Sequence, residues 1–250
     1  GSISSSLWVD YTDNVTITYN VISSSISAVL SSSGINLNAL NNVTITNNNV
    51  SGYDKGIAFL TDNRAYSITN SNWQCGNLTT KVDINNNRLF NNDRGLSLRG
   101  VVNSNISTNT FLNNTNGVDD YDVGLYLEEC NTNNRIENNN FSETGSTGIV
   151  ITAKNTGVTI INNTFDMLNS TEKTQRTVND IYDYPSAISI VELYKQFAQG
   201  NKTGQPNPYN ITFVRIYKSD NITISGNTFD SDTQIFLTLQ GTTNVTHDLS

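Results

Sequence analysis

Charge is scarce in this sequence, with only 14% Asp, Glu, Lys and Arg and a net charge of −8. Phosphate binding needs a basic stripe, and none is present, so a nucleic-acid partner is not expected. No apolar run approaches the ~20 residues that cross a bilayer, so membrane insertion within this segment is not expected. No signal peptide opens the chain. It begins Gly1-Ser2 rather than with Met, which reads as a cloning remnant. No amphipathic capping helix stands at either end, although solenoids need caps. Residues 1–250 are therefore expected to be one module excised from a longer secreted or cell-surface protein.

What the sequence does have is a repeat. The phrase Ile, two residues, Asn, one residue, apolar recurs at Ile17/Asn20/Ile22, Ile45/Asn48/Val50, Ile84/Asn87/Leu89, Ile106/Asn109/Phe111, Ile136/Asn139/Phe141, Ile160/Asn163/Phe165 and Ile224/Asn227/Phe229. Most of the shorter gaps are roughly 22 to 30 residues, a period that marks stacked coils. In Asn42-Val43-Thr44-Ile45-Thr46 the alternation puts Val43 and Ile45 on one face of a strand and the threonines on the other. Asn48 is expected at a turn, because Asn tolerates left-handed backbone. A second strand type, usually opened by Gly, follows each copy, as in Gly95-Leu96-Ser97-Leu98 and, without Gly, Ile235-Phe236-Leu237. Three short strands and three turns complete one coil.

Stacked coils place each strand ~4.8 Å from its equivalent. Asn20, Asn48, Asn87, Asn109, Asn139, Asn163 and Asn227 are then one structural ladder whose amides bond along the stack. These residues and spacings resemble the right-handed parallel β-helix repeat of the pectate-lyase-like superfamily, from about Leu7 to Leu239. The fold expected is an all-β, right-handed parallel β-helix solenoid of about seven to eight coils with loop insertions. The phrases Asn-Val-Thr-Ile-Thr and Asn-Asn-Thr-Phe also resemble archaeal adhesin-like surface proteins. Leucine-rich repeats share the Asn phrase, but Ile, Val and Phe outnumber Leu at the apolar positions here and no coil reads as helical.

Function is sought where loops depart from the coil. Thr61 to Thr80 and Glu192 to Asn210 follow the Gly-type strand, and Leu112 to Val123 and Asp166 to Ser186 precede it. The first pair would wall a groove of ~15 Å. Its floor would present Ser97, Arg99, Tyr126, Glu128, Val150 and Thr152, and its walls Tyr66, Trp73, Tyr194 and Tyr209. Aromatic faces stack on sugar C–H faces while Arg and carboxylates bond hydroxyls, which is the chemistry of a glycan site. Arg99 and Glu128 also read as a plain surface ion pair worth under ~1 kcal/mol. Tyr182 and Tyr184, in the acidic-aromatic run Asp180 to Pro185, form a further recognition candidate.

No cofactor is called for. Asp119, Asp120 and Asp122 supply hard oxygens that suit Ca²⁺, without an Asp-x-Asp-x-Asp-Gly loop around them. Cys75 and Cys130 fall at the same corner two coils apart, ~10 Å in an ideal stack, so a disulfide requires the longer loop around Cys75 to bend over. Asn-x-Ser/Thr sequons, as at Asn14 and Asn42, exceed chance slightly and leave glycosylation open.

Many β-helix relatives cleave polysaccharides. The polygalacturonase-like pattern is matched only by Asp119-Asp120 and loosely by Arg215-Ile216-Tyr217-Lys218; Asn-Thr-Asp and Gly-His-Gly are missing, and the lone His247 lies near the C-terminal end. Hydrolysis needs two carboxylates held across the bond. Lyase chemistry needs a base beside a cation, a role open to Arg99 and Tyr126. The reading reached is a non-catalytic, extracellular or cell-surface adhesin or receptor-binding module that meets glycans or a partner surface through its insertions. The alternative is a polysaccharide lyase or hydrolase, including a tail-spike-like depolymerase, acting in the groove.

Overall fold

The computed structural model describes residues 5–25, 32–60, 75–114, 122–144, 147–152, 154–167, 186–190, 193–198, 211–217, 219–230, 237–239 and 243–248. Among them only strands, bridges, turns and bends occur. Alternation and β-branching set the strands. In Asn41–Thr46, Val43 and Ile45 are buried while Thr44 and Thr46 are half-buried and Asn42 is exposed.

Three parallel sheets result. Sheet A has eight strands, sheet B nine and sheet C seven. One coil takes a strand from each in turn, for example Ser33–Asn38, Asn41–Thr46 and Asn49–Ser51, and the next takes Lys55–Leu60, Thr79–Asn85 and Arg88–Phe90. Equivalent residues lie side by side between these coils: Ile35 with Ile57, Ile45 with Ile84, Val50 with Leu89. Parallel crossovers of this kind are right-handed in nearly all proteins. Seven coils contribute to all three sheets, and an eighth adds Leu237–Leu239 and Thr243–His247. The parallel β-helix is thus the fold.

The interior is a column of aliphatic and aromatic side chains. Phe111, Phe141 and Phe165 stack with ring centroids 4.6 and 4.9 Å apart, and Phe229 continues the column at 5.4 Å. The Gly that opens the sheet A strands has a steric cause. A Cβ on Gly95 would lie 2.6 Å from the Gly124 carbonyl oxygen and 2.7 Å from Phe111 Cδ1.

The corners correct one expectation. The ladder asparagines are not the left-handed residues; the residue just before each one is. Tyr19, Asn47, Asn86, Thr108, Asn138, Asn162 and Gly226 all have φ between 53° and 62°. The ladder residue that follows turns inward and bonds. Asn87 Oδ1 accepts from the Asn48 backbone N–H at 3.0 Å and from Asn48 Nδ2 at 2.9 Å, while Asn87 Nδ2 donates to the Ile45 carbonyl at 2.9 Å. Two further ladders use the same device. Asn91-Asn92 and Asn113-Asn114 turn from sheet C to sheet A, with Asn114 Oδ1 accepting from Asn92 N at 3.1 Å. Cys130-Asn131 and Lys154-Asn155 turn from A to B, with Asn155 Oδ1 accepting from Asn131 N at 3.1 Å.

Two segments differ from the plain coil. The insertion beginning at Glu192 opens with a strand, Leu193–Ala198, paired antiparallel with Ile211–Tyr217. The last sheet A strand runs Leu237–Leu239, with Leu237 beside Ile188, so the alternation falls two residues later than the phrase Ile235-Phe236-Leu237 implies; Ile235 and Phe236 lie outside the described residues.

Candidate functional site

The one dense group of charges among the described residues sits on the outer face of sheet A. Ser97, Tyr126, Val150 and Ser189 form an outward ladder from neighbouring coils. Beyond Leu98 the register slips, so Arg99 lies opposite Glu129 rather than Glu128. A bulge of this kind re-aims side chains. Here it brings both carboxylates to one guanidinium. Arg99 Nη2 donates to Glu128 Oε2, and Arg99 Nε lies 3.5 Å from Glu129 Oε1. The Ser97 hydroxyl donates to Glu128 Oε1 at 2.7 Å. The Thr152 hydroxyl donates to the Glu128 carbonyl. Arg94 lies over the Tyr126 ring with its Cζ 5.5 Å from the centroid.

Burial pushes the Glu128 carboxyl up, since an ion in a dry setting is disfavoured. Arg99, then Lys55 and Arg94, and the Ser97 hydroxyl outweigh that effect, and the carboxyl is held below its ordinary value. Glu128 is therefore a carboxylate at neutral pH. Arg99 and Glu128 are not the loose surface pair weighed from sequence, because their side chains are only 16% and 8% exposed.

The floor expected for an open groove is shielded. Ser97 and Val150 are 0% and 1% exposed, and Thr152 and Glu128 are also buried. Arg99 and Tyr126 are half-buried, as are Lys55 and Arg94. The outward positions of sheet A are thus buried or half-buried through its middle coils.

Of the other candidates, Asp122 is buried beside Val123–Glu129, while Asp119 and Asp120 lie outside the described residues. Trp73, Tyr66, Tyr182, Tyr184 and Tyr209 also lie outside them. Tyr194 is in Leu193–Ala198, where the backbone alone is described. Cys75 and Cys130 form a disulfide with Cα atoms 5.8 Å apart. The ideal-stack separation does not apply, because the Cys75 end of the insertion returns to the corner where Thr79 N donates to the Gly100 carbonyl and Gly100 N to the Glu129 carbonyl, each at 2.9 Å.

Two members of the cluster, Lys55 and Arg94, were not singled out from sequence, and Glu129 was read only as a carboxylate near the acidic run at Asp119 to Asp122. Lys55 and Arg94 each precede the Gly of a sheet A strand and lie side by side in register. That shared position was a readable signal. Glu129 was hidden by the bulge, since strict alternation turns it inward.

Fold and site together define a parallel β-helix protein with a polar, ion-paired cluster on one sheet. The chain belongs to the NosD family, described as "periplasmic copper-binding protein (NosD)", which it matches over residues 2–207. No curated protein matches the sequence. Among solved structures it is similar to the periplasmic alginate epimerase AlgG, at 13% identity and TM-score 0.45, over 97% of this chain and 47% of that one. It is similar to tailspike protein 3 of bacteriophage CBA120, at 13% identity and TM-score 0.46, over 98% and 38%. An alginate lyase from Paenibacillus sp. str. FPU-7 follows at 14% and 0.43, over 95% and 92%. The chain spans about half the length of the epimerase. At these scores the likenesses carry nothing about chemistry.

Copper sites are built from thiolate, thioether and imidazole donors in set geometries. This chain has two Cys, one Met and one His. The thiols are tied to each other as a disulfide, Met167 is buried in the core, and His247 stands at the exposed end of sheet B. The residues present do not fit a copper centre.

Proposed function

We propose that this chain is a binding module working outside the cytoplasm, holding a glycan or a partner surface without turning it over. The observation that carries this reading is the enclosure of Glu128, whose two carboxylate oxygens accept from the Ser97 hydroxyl and from Arg99 Nη2. A general acid must hold a proton at working pH, and glycoside hydrolysis sets that acid against a second carboxylate across the bond. Glu128 is held below the protonating range, and Glu129 shares its partner Arg99. A cluster whose two carboxylates share Arg99 suits a rigid platform better than a proton relay.

The contacts proposed for the ligand are the accessible edges of Arg99 and Tyr126, with Trp73, Tyr194, Tyr209, Tyr182 and Tyr184 on the insertions, and Ca²⁺ at Asp119, Asp120 and Asp122 as an accessory. Preformed loops on a stiff stack lose little ordering entropy on binding. A location outside the cytoplasm is supported by the family's description as periplasmic and by the disulfide, which persists in oxidising compartments. No helix among the described residues is long and apolar enough to cross a membrane.

A second reading, a polysaccharide lyase, is favoured by one contact, Arg94 over Tyr126, which places a cation beside a phenol. The two are separated by incubating the protein with a panel of polysaccharides and cell-wall fractions, with Ca²⁺ and with a chelator, and scoring both retention and release of reducing or unsaturated ends. Retention without product is expected. Product release overturns the binding reading and makes Tyr126→Phe the first variant to assay.

A further inference from the structure

We infer that this chain, with its disulfide intact, has no copper centre of its own, although its family is described as copper-binding. The argument rests on the complete inventory of soft donors. The four residues concerned, Cys75, Cys130, Met167 and His247, all lie among the described residues, so undescribed segments can add oxygen, amide and amine donors but no sulfur and no imidazole.

Each of the four is unavailable or alone. A disulfide sulfur carries no thiolate charge and is not the ligand that a free thiolate is. The Met167 thioether is 4% exposed and packed in the core with Phe165 and Ile188 as fellow members. His247 lies in register with Ile224, at the last strand of sheet B, and is exposed. Among the described residues no three His, Cys, Asp or Glu side chains gather where an ion could be held.

The coil itself offers no substitute. Its corner amides are consumed by the ladders, as at Asn87, whose Oδ1 takes two bonds from Asn48 and whose Nδ2 donates to the Ile45 carbonyl and to Asn109; the buried Oδ1 atoms of Asn36 and Asn38 accept no bond but are hard amide oxygens, not the soft donors copper takes. Freeing a corner amide for a metal would leave buried backbone groups without partners. Its outward positions could carry ligands, since neighbours such as Thr44 and Asp83 stand one strand apart in register. This chain places threonine, asparagine and carboxylate there instead of histidine. Any copper contact it makes must draw donors from outside residues 1–250.

The test is metal loading of the disulfide-bonded protein, with absence of free thiol checked first. The protein is incubated with Cu(II), and separately with Cu(I) kept reduced by ascorbate, desalted, and analysed for copper and for Tm. Copper no higher than in a protein-free control, with Tm unchanged, is expected in both arms. The variant Thr44→His/Asp83→His supplies an outward imidazole pair and is expected to retain Cu(II), which shows that the assay detects a site on this coil. One copper per parent chain that survives desalting and raises Tm overturns the inference. Its loss in His247→Ala or Met167→Leu would then identify the donor.

Discussion

Asn86 and Asn87 are adjacent in the chain and perform opposite tasks. Asn86 takes the left-handed turn at φ 53°, and Asn87 enters the interior and bonds three coils together through Asn48, the Ile45 carbonyl and Asn109. The pair is the unit from which the corners are built, and it separates backbone conformation from polar satisfaction so that each can be tested alone.

Replacing Asn86 by Val should destabilise the protein by about 1–2 kcal/mol, because a β-branched side chain resists positive φ. Asn86→Gly should leave stability within roughly 0.5 kcal/mol of the parent, since Gly adopts that region freely. Equilibrium urea unfolding of both variants checks the contrast.

Asn87→Ala keeps the backbone and deletes the amide. The buried N–H of Asn48 and the carbonyl of Ile45 lose partners, which costs about 1–3 kcal/mol for each group left unsatisfied. Because each coil contacts its neighbours, the damage should be local. Amide hydrogen exchange should accelerate at Asn48 and nearby residues far more than at Asn163.

Glu128→Ala should cost about 1–3 kcal/mol, because the half-buried Arg99 guanidinium beside Arg94 and Lys55 loses its hydrogen-bonded carboxylate and keeps only Glu129. The double variant Glu128→Ala/Arg99→Met should recover part of the loss. Thermal unfolding of the two measures the coupling. Full stability of Glu128→Ala would show that the cluster is not an ion-paired platform.

The same carboxylate sets a pH dependence. Its pKa in the folded chain lies below its unfolded value of ~4.3. Its contribution is therefore present above that value and lost as pH falls through the lower folded one. Urea midpoints measured from pH 6 down to pH 2 should decline more steeply in the parent than in Glu128→Gln.

Much of this architecture was legible in the sequence, because the alternation in Asn42 to Thr46 and the spacing of Ile and Asn have one packing solution. Asn163 and Asn227 sit in the ladder their repeat assigned. The additional ladders through Asn92 and Asn131 were signalled by the same pairing of a turn residue with an inward Asn, but without the Ile phrase to mark them. The Asn abundance that resembles archaeal surface proteins is accounted for in part by these corners and says nothing about an organism. The candidate site was half legible. Alternation located Ser97, Tyr126 and Glu128 outward, yet it could not foresee the slip at Arg99 that recruits Glu129, nor that Ser97 and Glu128 are buried on that outer face. Cys75 meeting Cys130 depended on the path of an insertion, which no period encodes.

That disulfide gives the stack a mechanical asymmetry. Elsewhere a coil is held by its immediate neighbours and could be peeled from an end one turn at a time. The bond joins residues 55 apart and encloses the strands from Thr79 to Glu129. A pull on the two termini cannot extend the enclosed chain, which would otherwise yield roughly 180–200 Å at full stretch. Under load the ends would unwind and the central coils would remain a closed ring, with Arg99, Tyr126 and Glu128 inside it.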